Sequence, residues 1–178
     1  MATDNIDAGV RLCSFESMFE PKQTVKNDPE KRWYQSDRVF FGFGACHILA
    51  GVFLEDPPLE GFYGEWIVPA KGYSGTHIYA TNGVLAFDFH GYSYRENLLA
   101  KYWRGQQKRC PDWAATIIEI DFHLLDTAEL SKRKHLGADQ YFNDPRPRAK
   151  QFISAIKPPT FSRGRNAAGG HACQTSPK

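Results

Sequence analysis

Cysteine is scarce and scattered in this chain: of 178 residues only Cys13, Cys46, Cys110 and Cys173 carry a thiol, and no two form a C-x-x-C pair. That spacing excludes a disulfide-dense scaffold and the paired-ligand pattern of a structural zinc site, and it leads us to expect free thiols in a reducing compartment. Long apolar runs are missing too. No segment approaches the roughly 18 residues of a membrane span, and the acidic opening Met1-Ala2-Thr3-Asp4-Asn5-Ile6-Asp7 has no apolar stretch of signal-peptide length. The expectation is a soluble protein made in the cytoplasm, with signal-less export compatible with the same sequence. Acid is absent from the C-terminal end: Pro145 to Lys178 holds seven Lys or Arg and no Asp or Glu, so all 20 acids lie in residues 1–144 with the other 15 bases. An acidic body with a basic end reads as a domain with a solvated tail, and nucleic acid is not the expected partner.

What is present is a core. An apolar fraction of 42% and an aromatic fraction of 14% exclude a disordered or collagen-like chain, and the length suits one domain, expected over residues 1–157, with a flexible basic tail at 158–178. Pro158-Pro159 stops the last helix, and Gly164 to Lys178 is small, polar and aperiodic. Upstream, a short helix is expected around Phe15 to Phe19, and residues 31–41, with Trp33, Tyr34, Val39, Phe40 and Phe41, read as an extended approach to a glycine-containing loop. Ala45 to Leu54 is apolar nearly all round, as a helix buried in mid-domain is. Glu65 to Val68 reads as a strand, and Thr76–Thr81 and Val84–Phe89 as a hairpin closed by Asn82-Gly83. Ser93 with Glu96 resembles a capping box for a helix through Leu98 and Tyr102 to Gly105. A strand in 113–121, a helix from Asp126 or Thr127 to His135, and a helix opened by Asp144-Pro145 complete an α+β domain.

The chemistry centres on Phe40 to Asp88. Cys46 enters the buried helix at its N-terminus, where unbonded backbone N–H groups and the helix dipole favour a thiolate and a developing oxyanion. With Asn82 and Gly83 as the two loop residues, Thr81 faces Val84 and His77 faces Asp88, on one face of the sheet. That pair is the base-and-orienter half of a triad, which requires the Cys46 helix to pack on the face bearing it. Gln35, eleven positions before Cys46, is a candidate oxyanion donor; a solvated turn residue is the plainer account. His47, next to Cys46 in the helix, points about 100° away and reads as a packing or surface histidine. His90 shares the Asp88 face and is an alternative orienter or substrate contact. Two other readings stand beside nucleophilic catalysis: a metal site drawing on Cys46, His47, His77, His90 or Asp88, and an interaction domain in which Cys46 is a small core residue. No cofactor or metal is expected.

A Cys at the start of a buried helix, a His opening one strand and an Asp on the next resemble the papain-like cysteine hydrolase superfamily in its broad sense. That group includes NlpC/P60-type hydrolases, transglutaminase-like proteins and Cys-His-Asp effectors of bacteria. The resemblance covers Phe40 to Gly91. It implies a central helix packed on an antiparallel sheet, and thiol acyl transfer on a peptide or amide substrate by Cys46, His77 and Asp88. Cys46 lacks the Cys-Gly-Ser-Cys-Trp surroundings of papain itself and is followed by His47, so no named subfamily is implied.

Overall fold

The computed structural model describes residues 22–160; the helix expected at Phe15–Phe19, the tail beyond Thr160, and Cys13 and Cys173 lie outside the described residues. Three short helices lead in, α1 (Gln23–Lys26), α2 (Pro29–Trp33) and α3 (Asp37–Gly42), followed by the buried helix α4 (Cys46–Glu55). Strands β1 (Tyr63–Pro69), β2 (His77–Thr81), β3 (Leu85–Asp88) and β4 (Gly91–Tyr94) precede the long helix α5 (Arg95–Arg109). After it come β5 (Ala115–Glu119), α6 (Thr127–Lys132), a 3-10 turn (Ala138–Gln140) and α7 (Pro145–Ser154). The strands form one antiparallel sheet in the order β4-β3-β2-β1-β5, so the domain is α+β with the helix that begins at Cys46 against the sheet.

Residues 31–41 are helical, against the extended expectation. Asp28 caps α2 by accepting from Lys31 N, with Pro29 at the first helical position, and Ser36-Asp37 restarts the chain as α3. Capping outweighs the β preference of the aromatics. Helix α5 begins at Arg95 directly out of β4, with Tyr94 as its N-cap and no side-chain cap bond, so Ser93 belongs to the strand; Gly105 is interior and the helix runs on to Arg109. Helix α6 stops at Lys132, short of His135, where Lys134 takes a left-handed φ of 61°. Its N-cap is as expected: Asp126 accepts from Ala128 N and Glu129 N at 2.8 and 3.2 Å. Asp126→Ala should cost about 1 kcal/mol of stability, read as a shift in the urea midpoint at unchanged slope.

The hairpin joining β2 to β3 differs from expectation in a way that bears on the site. Asn82 does not sit in a two-residue turn; its side-chain Oδ1 accepts from Val84 N and Leu85 N at 3.1 and 2.8 Å, and Thr81 Oγ1 donates to Leu85 O while accepting from Gly83 N. These side-chain bonds spread the turn over residues 82–85. Thr81 therefore pairs with Ala86 and Ala80 with Phe87, a shift of two residues from the expected register. A shift of two preserves the face of every side chain. His77 and Asp88 become diagonal neighbours on one face instead of directly opposed ones. The two-residue turn occurs one hairpin later, at Phe89-His90, where Asp88 pairs with Gly91 and Gly91 takes the positive φ of 91°.

Each face of the sheet has its own helix. Alternation puts Ile78, Ala80 and Phe87 on the α4 side, where Phe53 stacks on Phe87 at 4.3 Å and Cys46 and Ala50 meet Ile78. Tyr79 and Ala86 lie on the α5 side with Leu98, Cys110 and Trp113. Cys46 is a free thiol, whereas Cys110 is disulfide-bonded, which corrects the expectation of free thiols throughout.

Candidate active site

The pair His77 and Asp88 lies on the α5 face and the body of α4 on the other, which corrects the expectation that helix and pair share a face. They meet because His77 is the first residue of β2 and Cys46 the first of α4. At the end of a strand an imidazole is not confined to one side of the sheet. The His77 ring stacks on Tyr102 of α5 at 5.3 Å and 9°, and also meets the edge of Phe89, which follows β3 on the α4 side, at 5.5 Å.

His77 Nε2 is 3.2 Å from Asp88 Oδ2. The carboxylate accepts only, so Nε2 donates and Nδ1 is the ring nitrogen left over. Asp88 is fixed in turn by the tight turn that follows it: Oδ1 accepts from His90 N at 2.7 Å, and His90 Nδ1 lies 3.4 Å from Oδ2. His90 thus partners the carboxylate from the exposed side and does not replace His77. All three members are enclosed, with exposures of 9% for Cys46, 2% for His77 and 5% for Asp88, so little solvent screens the charges between them.

The electrostatics follow from that enclosure. Burial on its own would raise the Cys46 pKa, but the imidazoles of His47 and His77 beside the thiol outweigh it and bring the value down to about 5. Burial would lower that of His77, and the hydrogen bonds and charges of Asp88 and Cys46 outweigh it and hold it up at about 9. Burial likewise opposes ionisation of Asp88, yet its bonds to His77 and His90 keep the carboxyl well below the usual carboxylate range. The thiol and the carboxyl are thus shifted down and the imidazole up, each toward its charged form.

Gln35 donates its amide to Lys31 O at 3.0 Å and lines an open cleft of about 480 Å³ with Trp33, Tyr34 and Arg148. The structure places it away from the thiol's partners. At the start of α4 the first N–H bonded to a preceding carbonyl is that of Leu49, to Ala45 O, so those of Cys46, His47 and Ile48 lie outside the helix ladder.

The sequence marks His47 only as a packing or surface histidine, or as one metal-site candidate, and does not indicate Tyr102 at all. His47 is buried and beside the Cys46 thiol, because side chains at a helix start lean back over its N-terminal end. Its presence in an otherwise apolar helix was the available signal. Tyr102 stacks on His77 from α5, and no spacing in the sequence indicates it. Among the described residues no group of three or more His, Cys, Asp or Glu is arranged to hold a metal ion, and no helix is long and apolar enough to cross a membrane. Comparison with protein-family models, with curated proteins and with solved structures returns no match to this chain.

Proposed function

We propose that this chain catalyses cysteine-dependent acyl transfer on an amide or peptide bond, with Cys46 as nucleophile, His77 as acid and base, and Asp88 as the group that orients the imidazole. The observation carrying this reading is the continuous arrangement from a thiol at a helix N-terminus, through an imidazole beside it, to a buried carboxylate 3.2 Å from the far ring nitrogen. The order of the three residues and the helix-on-sheet setting are similar to those of papain-like hydrolases, and we read the core as one of that kind.

In this scheme the Cys46 thiolate attacks the carbonyl carbon, forming a C–S bond, while the backbone N–H groups at the start of α4 receive the charge that moves onto oxygen. Collapse breaks the C–N bond, and the His77 imidazolium gives its proton to the departing nitrogen. The thioester is then attacked by an acceptor, water or an amine, whose proton passes to His77 as the thiolate leaves. Hydrolysis, deamidation and transamidation differ only in the leaving group and the acceptor.

Two measurements test it. A limiting thiol alkylator at neutral pH, followed by mass spectrometry across the four cysteines, should modify Cys46 first; preferential labelling elsewhere counts against an activated thiol. The rate of acyl transfer should also depend on pH with two limbs. Below about 5 the thiolate gains a proton and attack is lost, and above about 9 the imidazolium loses the proton the leaving nitrogen needs. A single ascending limb near the ordinary thiol value of roughly 8.5 would contradict the ion pair.

A further inference from the structure

Cys46 has two imidazoles beside it, and only one belongs to the relay above. His47 is as buried as His77. Its Nε2 is 2.8 Å from Leu136 O, which accepts only, so this nitrogen donates and Nδ1 is the ring nitrogen left to face the neighbouring thiol. The Tyr141 hydroxyl stands 3.5 Å from the same Nε2 and donates to Gly44 O at 2.6 Å. Residues 136 and 141 therefore grip both ends of the four-residue turn, Gly44 to His47, that delivers the nucleophile.

That segment is itself held. Gly137 N donates to Gln140 Oε1 at 2.8 Å and Thr127 Oγ1 to Asp139 Oδ1 at 2.7 Å. Gly137 is packed so closely on Thr127 that a Cβ would lie 2.2 Å from its Oγ1. On the outer side of His47 stands His135, with ring centroids 4.9 Å apart, its own buried Nε2 without a hydrogen-bond partner. The titratable groups around the sulfur are His47 on α4, His77 backed by Asp88 and His90, Tyr102 on α5, and Arg133, His135 and Tyr141 after α6.

We propose that His47 is a positioning residue: anchored by the 136–141 segment, it fixes the Cys46 sulfur at the end of β2 and stabilises its thiolate independently of the His77–Asp88 relay. The inference rests on the acyl-transfer reading only in taking Cys46 as the nucleophile.

The test is the pH dependence of Cys46 alkylation by iodoacetamide in the full chain, followed by mass spectrometry. His47→Gln keeps a donor for Leu136 O but has no second nitrogen for the sulfur, so the anchor survives while the thiolate contact is lost. We expect its alkylation at pH 5 to be slower by about fivefold, the effect there of raising the thiol by one pKa unit from about 5, with the melting temperature little changed. His77→Gln should slow it as well. Tyr141→Phe, which removes only the hydroxyl on Gly44 O, should shift the profile in the same direction by less, and it serves if His47→Gln does not fold. Profiles of His47→Gln and Tyr141→Phe coinciding with the parent, while His77→Gln shifts, would overturn the role of His47 and leave the triad standing. A parent profile at the ordinary thiol value would overturn the activated thiol itself.

Discussion

Replacing Asp88 by Asn should leave the fold intact and lower acyl transfer by on the order of 10³–10⁴, the loss expected when an imidazole is held in the wrong tautomer. The carboxylate has two duties. Oδ1 accepts from His90 N, which closes the β3–β4 turn, and Oδ2 accepts from His77 Nε2. An Asn can keep the first with its carbonyl oxygen, so the turn survives. Its NH2 group then faces His77 and donates where the carboxylate accepted, so Nε2 must accept and Nδ1 carries the proton towards the sulfur. The imidazole can no longer receive a proton there, and the thiolate loses the charge that favoured it. The check is a single-turnover rate beside a melting curve; an Asp88→Asn variant with native melting and undiminished rate would remove Asp88 from the mechanism.

The second large effect is on stability. Glu65 lies in mid-β1, opposite Tyr79 in the register, and is buried. It accepts from the Tyr79 hydroxyl, and both its oxygens take Arg95, at 2.7 Å from Nε and 2.9 Å from Nη2. Tyr79 is held protonated, by burial first and by this carboxylate second. Glu65→Ala strands a guanidinium and a phenol together, and it should destabilise the domain by about 3 kcal/mol or more. Replacing Glu65 and Arg95 together by Met should recover most of that loss, since no uncompensated charge remains. Urea denaturation of the single and double variants decides it: a double variant as unstable as Glu65→Ala would show that the ion pair itself, and not the orphaned charge, matters. The effect should reach the site, because Tyr79 stacks near His77 at 6.0 Å and Arg95 opens the helix that carries Tyr102.

How much of this was legible in the sequence can be argued from three places. The pairing of His77 with Asp88 was, although its stated register was off by two, because strand periodicity fixes the face and is indifferent to an even shift. The turn was misread because Asn82 and Thr81 bond to the backbone through their side chains, a choice that dipeptide preferences do not encode. The same local chemistry bears on residues 31–41, where Asp28 caps α2 through its side chain and Pro29 takes the first helical position, settling there what aromatic content left ambiguous. Beyond His77, the long-range surroundings of Cys46 were not legible. Leu136, Tyr141 and Tyr102 arrive from 56 to 95 positions further along the chain, and no periodicity connects them to a thiol at position 46.

Arg148 gives that separation a temporal meaning. From α7 it donates Nε to Asp37 at 2.7 Å, Nη2 to Gln35 O at 2.6 Å and Nη1 to Trp33 O, with its guanidinium 4.3 Å from the Phe40 ring. The helices leading into the turn before Cys46 are thus bound to α7, across sequence separations of 111 to 115 residues. Contacts of such range close late in folding. During synthesis α3 can already pack Phe40 and Phe41 against α4 and the sheet, but its tie through Arg148 waits until residue 148 has left the ribosome, and Gly44 and His47 likewise wait for Tyr141 and Leu136. A nascent chain therefore completes its thiol site among the last parts of the domain to form, well after the sheet that carries His77 and Asp88 can pair.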